Sequence, residues 1–209
     1  PPYSINRWNR KGWNQDPYNR NLYGTPPKGR ADYAFVQHII ESLSKKGRTA
    51  ILLPHGVLFR DGEEDIREKL VQDDKLDTVI GLPKDMFYNS PMEACIMIFR
   101  KNKTGKRKDH VLFINAIKDF ERIGNKNFVN ESHIKKISDV YEKFETVKDF
   151  SYVADNDEIK QNDNLLSIAL YVKHKIKDKA PTPKIAVRDW QNSKKVLSEP
   201  LKVLLKQIE

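Results

Sequence analysis

The stretch Thr49-Ala50-Ile51-Leu52-Leu53-Pro54 decides the class of fold that this sequence encodes. It is a short, continuous apolar run closed by a proline, a pattern typical of a buried strand in a parallel sheet. Apolar residues recur at helical spacing over residues 31–46, and Gly47 stands where a C-terminal helix cap belongs. Downstream, residues 63–72 predict a second helix and residues 76–82 a second buried strand. Helices that alternate with strands in this way predict an α/β sheet with crossover helices.

A third apolar strand is predicted over residues 94–100, and it runs in the opposite direction. Only about eleven residues separate it from the second strand, which is short for a helical crossover. We therefore predict an antiparallel pair, with a reversed strand at the edge of a mostly parallel sheet. Residues 111–116 predict a further strand, and the α/β part, residues 1–125, is expected to end there.

The remainder of the chain is predicted to be a mainly helical C-terminal appendage. Residues 126–172 form its α-helical extension, because apolar residues follow helical spacing from Ile134 to Phe144. Residues 173–209 are interpreted as a linker rich in lysine and proline, followed by a C-terminal amphipathic helix. The cationic residues 101–108 and the tail beyond residue 173 are candidate surfaces for docking or for a polyanionic backbone, and a solvated face is the equal alternative.

Residues 1–30 are predicted to be a long loop, because Asn, Gly, Pro and Arg are dense and no periodicity persists. Aromatic and cationic side chains alternate there, and Asp16 is the only acidic residue before Asp32. Aromatic rings stack on bases and cations neutralise phosphates, so this composition favours contact with nucleic acid. Packing of the rings onto their own domain is the alternative. The candidate DNA contacts are Arg7, Trp8, Arg10, Lys11 and Arg20.

Charge and cysteine content restrict the class of protein further. The chain has 38 Lys and Arg against 29 Asp and Glu, and the net charge of +9 favours a polyanionic partner without identifying it. Cys95 is the only cysteine, which excludes a disulfide framework and a thiolate metal cluster and suits a reducing cytoplasm. It is interpreted as a core residue. His38 and His55 have no partner cluster, so no metal site is expected. No apolar run approaches the ~18 residues that span a bilayer.

The first three residues, Pro1-Pro2-Tyr3, are weak evidence alone, because tripeptides recur by chance. They gain meaning from the segments that follow in order, among them Ala31-Asp32-Tyr33-Ala34-Phe35, Leu53-Pro54-His55-Gly56-Val57-Leu58-Phe59-Arg60 and Val79-Ile80-Gly81-Leu82-Pro83. In this order and spacing, residues 1–120 resemble the methylase (modification) subunit of type I restriction–modification systems, which are N6-adenine DNA methyltransferases. Residues 153–172 are similar to the stretch that follows the catalytic domain in that family.

The resemblance implies the C-terminal half of a Rossmann-like methyltransferase sheet that uses S-adenosylmethionine to methylate adenine N6. Pro1-Pro2-Tyr3 then completes an Asn-Pro-Pro-Tyr motif whose Asn stands before Pro1, so the chain is expected to be a C-terminal fragment. No Gly-x-Gly occurs among the nine glycines. We therefore expect the fragment alone to be inactive and not to bind the cofactor. The implied partners are double-stranded DNA, a DNA-specificity subunit and a restriction subunit, with no membrane.

The resemblance also assigns roles to the first residues. Adenine N6 is a poor nucleophile because its lone pair is delocalised into the ring. In the family the motif's Asn oxygen and a backbone carbonyl near Pro1 accept the amine hydrogens, which localises that pair. Pro1 and Pro2 fix the backbone without an N–H, and Tyr3 stacks on the base once it has left the duplex.

Further residues are assigned by the same resemblance. Ala34 and Phe35 are expected to line the cofactor pocket, and a core role for Phe35 is the alternative. Phe87 is expected to be a second aromatic residue against the flipped base. The family tends to show a Gly/Thr-containing stretch after that aromatic residue, whereas this chain has Asn89-Ser90-Pro91-Met92-Glu93. Asp32 is interpreted as a helix cap rather than as a polar contact to cofactor or base.

Two other functions remain open at this point. Asn-Pro-Pro-Tyr also serves enzymes that methylate cytosine N4, guanine N2 in RNA or the amide nitrogen of glutamine. The chain as it stands can also be a non-catalytic module for DNA binding or subunit assembly.

Overall fold

The computed structural model describes residues 1–87 and 91–172, all of which belong to one unit of the chain, Pro1–His174. The predicted linker and amphipathic helix at residues 173–209 lie outside the described residues. The strands are β1 (Arg48–Pro54), β2 (Leu76–Gly81), β3 (Ala94–Arg100), β4 (His110–Asn115), β5 (Glu121–Ile123), β6 (Lys126–Phe128) and β7 (Ser151–Asp155). The helices are α1 (Arg10–Trp13), α2 (Asp32–Glu41), α3 (Glu64–Gln72), α4 (Glu131–Lys143), α5 (Asn156–Gln161) and α6 (Ile168–Tyr171). Short 3₁₀ turns occupy His55–Leu58 and Gly105–Arg107.

A five-stranded mixed sheet with the order β1-β3-β2-β4-β7 is the centre of the fold. Strands β2 and β4 are parallel, and the other neighbouring pairs are antiparallel. Strands β5 and β6 form a separate, two-stranded antiparallel hairpin within the described ranges. The α/β class predicted from the sequence is confirmed, with the sheet mixed rather than mostly parallel.

The reversed strand β3 is confirmed, but its predicted place at the edge of the sheet is wrong. β3 lies between β1 and β2 and pairs with both, from Arg48 opposite Arg100 to Pro54 opposite Ala94 in the β1 pair. An inner strand is apolar on both faces, which agrees with the apolar run of β3. The edges of the sheet are instead β1 and β7, so β1 has one neighbouring strand within the described part of the chain.

Alternate residues of the strands form two apolar clusters, because successive side chains point to opposite faces of a sheet. One cluster contains Leu53 and Met97 and is covered by α2, α3, α5 and α6. The other contains Leu112 and Ile114 and includes Val140 of α4. Cys95 is fully buried in the first cluster, which agrees with its interpretation as a core residue.

Two local expectations need correction. Helix α2 ends at Glu41, and Ser42 rather than Gly47 is its C-cap; the Ser42 hydroxyl also donates to the His38 carbonyl (2.8 Å). Residues 126–172 are not purely helical, because β7 pairs with β4 and completes the sheet. The division of the chain into three parts remains a prediction.

Several of the cationic side chains of residues 101–108 have hydrogen-bond or ion-pair partners within the chain. Lys103 is buried and donates to the carbonyls of Leu76 and His110. Lys101 pairs with Glu41, and Arg107 pairs with the buried Asp77. Because these charges have internal partners, this turn is a poorer candidate for a DNA-backbone surface than its composition suggests.

Candidate active site

The segment after Tyr3 is tied to the start of helix α2. The Ser4 backbone N–H donates to Asp32 Oδ1 (2.8 Å), and the Ser4 hydroxyl lies 3.3 Å from Asp32 Oδ2. Ser4 has a φ of +48°, a left-handed conformation that non-glycine residues adopt uncommonly. Such a conformation persists where surrounding contacts hold it, and the Asp32 carboxylate supplies those contacts here.

Arg60 forms hydrogen bonds with both Asp32 and Ser4. Its Nη1 donates to Asp32 Oδ2 (2.9 Å) and its Nη2 donates to the Ser4 hydroxyl (3.3 Å). Asp32 is 1% exposed, so its charge is neutralised almost out of contact with water. The interpretation of Asp32 as a helix cap is wrong: Ala31 is the N-cap of α2, and no side chain caps it. The Asp32 carboxylate is instead engaged by Ser4 and Arg60.

Tyr3 lies beside Phe87, the second aromatic residue expected from the sequence. The two ring centroids are 6.4 Å apart and the ring planes are nearly perpendicular, at 86°. Burial raises the pKa of Tyr3, and the nearby Cys95 thiol and Asp32 carboxylate raise it further. The phenol therefore stays neutral at physiological pH. A flat base lies face to face with both rings only if their relative orientation changes.

Ala34 and Phe35 border a mainly apolar cavity of about 460 Å³ next to the N-terminal loop. Ala34 is buried, whereas Phe35 is half-buried and outside both core clusters. Trp8 and Trp13 also line this cavity, and their rings meet edge to face with centroids 6.3 Å apart. The cavity has the size and aromatic character of a small-molecule site.

The candidate DNA contacts divide into two groups. Arg10 Nε donates to the Pro26 carbonyl (2.9 Å), Trp8 Nε1 donates to the Lys28 carbonyl (3.1 Å), and Arg20 forms hydrogen bonds to Asp16. These bonds with Arg20 lower the pKa of Asp16 to about 2. Arg7 and Lys11 are exposed and border a second, more open cavity of about 520 Å³.

Arg60 and Glu63 are the two residues of this region whose importance the sequence did not predict. Arg60 is the last residue of the motif Leu53–Arg60. Its partners Asp32 and Ser4 lie 28 and 56 residues earlier in the chain, so the sequence near Arg60 does not reveal these contacts. Glu63 is fully buried, and neither oxygen of its carboxyl has a hydrogen-bond partner. Burial raises its pKa to about 7. A glutamate before a helix is ordinary in sequence, so no local signal identifies it.

Two negative findings concern the described residues alone. Residues 1–87 and 91–172 contain no group of three or more His, Cys, Asp or Glu side chains placed to hold a metal ion. Within these same ranges, no helix is long and apolar enough to cross a membrane.

Comparisons with known proteins identify the family. A family model described as N-6 DNA methylase matches residues 1–180. The methylase subunit of the type I restriction enzyme MjaVII of Methanocaldococcus jannaschii is 39% identical over 182 residues, covering 82% of this chain and 31% of that protein. The HindI methylase subunit of Haemophilus influenzae is 34% identical over 184 residues, covering 82% of this chain and 40% of that protein.

Among solved structures, the methyltransferase subunit of a type I restriction–modification system from Streptococcus thermophilus superposes with a TM-score of 0.76 at 38% identity. The superposition covers 82% of this chain and 36% of that protein. The chain therefore spans about a third of the length of these relatives.

Proposed function

The chain belongs to the N-6 DNA methylase family, and we propose that it supplies the target-base side of a methyltransferase that modifies adenine N6 in DNA. The observation that carries the proposal is the position of Tyr3. Its ring is half-buried beside Phe87, and the next residue is held by Asp32 and Arg60. An aromatic ring held in this way suits the stacking of a base that has left its duplex.

The chemistry assigned to this chain is orientation. Tyr3 stacks on one face of the adenine, and Phe87 is the candidate for the other face. A backbone carbonyl near Pro1 accepts one hydrogen of the amine, and the motif's Asn accepts the other, which localises the lone pair on nitrogen. Bound S-adenosylmethionine would supply the methyl group: its S–CH3 bond would break as that lone pair forms the N–C bond, the thioether would leave, and the amine would lose one proton to solvent. Neither Pro1 nor Pro2 has an N–H that competes for these acceptors.

The cavity at Phe35 is the candidate for the cofactor side of the reaction. When bound, S-adenosylmethionine supplies an electrophilic methyl group. The ring of Phe35 and the small Ala34 offer a flat apolar surface on which the adenine moiety of a nucleoside can lie, and the indoles of Trp8 and Trp13 restrict water. The residues therefore fit part of such a cofactor.

DNA contact is assigned to the exposed cations of residues 1–30. Arg7 and Lys11 are exposed, and their charge can neutralise phosphates without the loss of a hydrogen bond to another described residue. Arg10, Arg20 and Trp8 shape the loop through their bonds to neighbouring residues. A DNA-specificity subunit and a restriction subunit are the partners expected of a type I system.

The test uses a hybrid in which residues 1–172 replace the matching segment of the Streptococcus thermophilus subunit. The hybrid is assayed with that system's DNA-specificity subunit, unmodified DNA and S-adenosylmethionine, and the methylated nucleosides are identified by mass spectrometry. We expect N6-methyladenine. N4-methylcytosine, or the absence of any methylated nucleoside from a folded hybrid, would contradict the proposal.

The role of Tyr3 is tested in the same hybrid. We expect Tyr3→Ala to lower the methyl-transfer rate by roughly 10- to 100-fold, because base–ring stacking contributes about 1–3 kcal/mol. Tyr3→Phe keeps the ring and is expected to stay within threefold of wild type. Equal rates for Tyr3→Ala and wild type would show that the ring does not hold the base.

A further inference from the structure

We propose that Ser4, Asp32 and Arg60 form a clamp that positions Tyr3 for methyl transfer, and that Gly56 is needed to close it. The proposal rests on the proposed function, since it concerns the same base-binding ring. Asp32 and Arg60 are positioning residues, because they act through Ser4 and the backbone that joins it to Tyr3.

Three separate segments meet in the clamp. Ser4 follows the stacking ring, Asp32 begins α2, and Arg60 follows the 3₁₀ turn after β1. Four polar contacts of 2.8–3.3 Å join the three side chains and the Ser4 amide. The Arg60 guanidinium uses two nitrogens on two different segments, a geometry that the planar fork of arginine permits and a lysine ammonium does not reproduce.

The burial of the Asp32–Arg60 ion pair indicates that its main effect is to fix geometry rather than to stabilise the fold. Asp32 is 1% exposed and the Arg60 side chain 17% exposed, so both groups lose most of their hydration. Buried ion pairs generally contribute little more to stability than well-packed apolar residues of the same volume. What such a pair does supply is a defined geometry, and the element that it defines here is the backbone directly after Tyr3.

The clamp holds the Ser4 backbone at a positive φ. A serine has no intrinsic preference for φ near +48°, so its backbone relaxes when the hydrogen bonds to Asp32 are lost. Rotation about this φ changes the direction of the chain at Tyr3. A ring that must lie flat against a base within tenths of an ångström is sensitive to such a change.

Gly56 leaves the space in which the Arg60 guanidinium lies. A Cβ at residue 56 would be 2.4 Å from Arg60 Nε, 2.9 Å from Nη2 and 3.0 Å from Cζ. All three contacts are with the end of a flexible side chain, so the backbone can accept an alanine while the guanidinium moves away. Gly56→Ala is therefore expected to open the clamp and leave the fold intact.

The structural test is amide hydrogen exchange at Ser4 in the 209-residue chain. We expect Gly56→Ala and Arg60→Lys to speed Ser4 exchange by tenfold or more, with exchange in β2 and β3 unchanged. The control is Gly29→Ala, whose new Cβ would meet nothing within 4 Å. Unchanged Ser4 exchange in both variants would overturn the clamp. So would an equal acceleration throughout the chain, since that is global destabilisation.

The functional test measures methyl transfer by the hybrid subunit. For Arg60→Lys and Gly56→Ala we expect kcat to fall by about tenfold while the Kd for S-adenosylmethionine stays within twofold, because the cofactor cavity does not include residue 60. The control is Arg48→Lys at the opposite end of β1, where the side chain is exposed. A wild-type kcat in both clamp variants would overturn the positioning role.

The proposed function and the clamp can be rejected independently of each other. If the wild-type hybrid transfers no methyl group, the proposed function fails, whereas Ser4 exchange still decides whether the clamp exists. If the hybrid is active and Ser4 exchange responds but kcat does not, the clamp is a structural contact only and its positioning role is rejected.

Discussion

Glu63 precedes helix α3, and its carboxyl is fully buried with no hydrogen-bond partner for either oxygen. Its pKa is raised from an ordinary value of 4.5 to about 7, mainly by burial and also by the Asp32 carboxylate, against the opposing effect of Arg60, Arg30 and Arg67. An unpaired buried carboxylate is unfavourable, and the folded protein therefore holds the group protonated at mildly acidic pH.

The burial of Glu63 predicts that the free energy of unfolding depends on pH and that Glu63→Gln removes this dependence. Because the folded state binds the Glu63 proton more tightly than the unfolded state, the free energy of unfolding should fall as pH rises from about 4.5 to about 7. Above that range both states are ionised and the effect is constant. We expect Glu63→Gln to match wild type near pH 4 and to be more stable by roughly 3 kcal/mol at pH 8.

Denaturant unfolding of both proteins between pH 4 and pH 8 checks this expectation. Glu142→Gln, at an exposed position of α4, is the matched control and should track wild type at every pH. A difference between Glu63→Gln and wild type that is the same at pH 4 and pH 8 would show that Glu63 ionises normally in the folded protein.

At the scale of elements, the buried Asp77 joins β2 to β3 and, through Arg107, to α4. Arg100 Nε donates to Asp77 Oδ1 (2.9 Å), and Arg107 Nη1 donates to Oδ2 (2.8 Å). The Arg107 guanidinium also lies over the rings of Tyr141 and Phe144, 4.7 and 4.4 Å from their centroids. One carboxylate thus holds two arginines, one of which packs against the C-terminal end of α4.

Removal of this carboxylate should be strongly destabilising. We expect Asp77→Ala to lower the free energy of unfolding by about 3–5 kcal/mol, because both guanidinium groups would lose their buried counter-ion. The exposed ion pair Lys135–Asp139 within α4 is the contrasting case, and Lys135→Ala should change stability by less than about 0.5 kcal/mol. Urea denaturation distinguishes the two; equal effects would mean that the Asp77 cluster is as well solvated as the surface pair.

At the scale of the whole molecule, the candidate cofactor cavity is lined by helix α2 and by the N-terminal segment that includes α1. Phe35 and Ala34 belong to α2, whereas Trp8 and Trp13 come from the N-terminal residues. No glycine-rich segment of the Gly-x-Gly type occurs in the 209 residues. We therefore propose that the chain contributes surface for only part of a nucleoside cofactor, because the usual phosphate-binding loop of such sites is of this type.

Calorimetric titration with S-adenosylmethionine tests this reading. We expect no measurable heat of binding for the 209-residue chain, and binding by the hybrid subunit. In the hybrid, Phe35→Ala should weaken binding by about tenfold through loss of ring contact, whereas Phe128→Ala, a partly exposed ring of β6, should have no effect. Micromolar binding by the chain alone would mean that its own residues form a complete site.

The order of the strands shows where prediction from sequence ends. Each strand from β1 to β4 was predicted to within one or two residues, because a continuous apolar run is a local property. The reversal of β3 was also predicted, because the connection that precedes it is short. Its position between β1 and β2 was not, since pairing depends on which strand edges meet and not on any pattern within β3.

The sequence by itself determined the α/β class, the reversed strand, the core role of Cys95 and the resemblance to type I methylase subunits, because apolar runs and ordered motifs are legible along the chain. The roles of Tyr3, Phe87, Ala34 and Phe35 remain predictions. Only the tertiary structure decided that Asp32 binds Ser4 and Arg60 rather than capping its helix, and that Glu63 is buried without a partner. Those contacts join residues 28 and 56 positions apart, and side-chain partners at such separations are set by how the strands and helices pack.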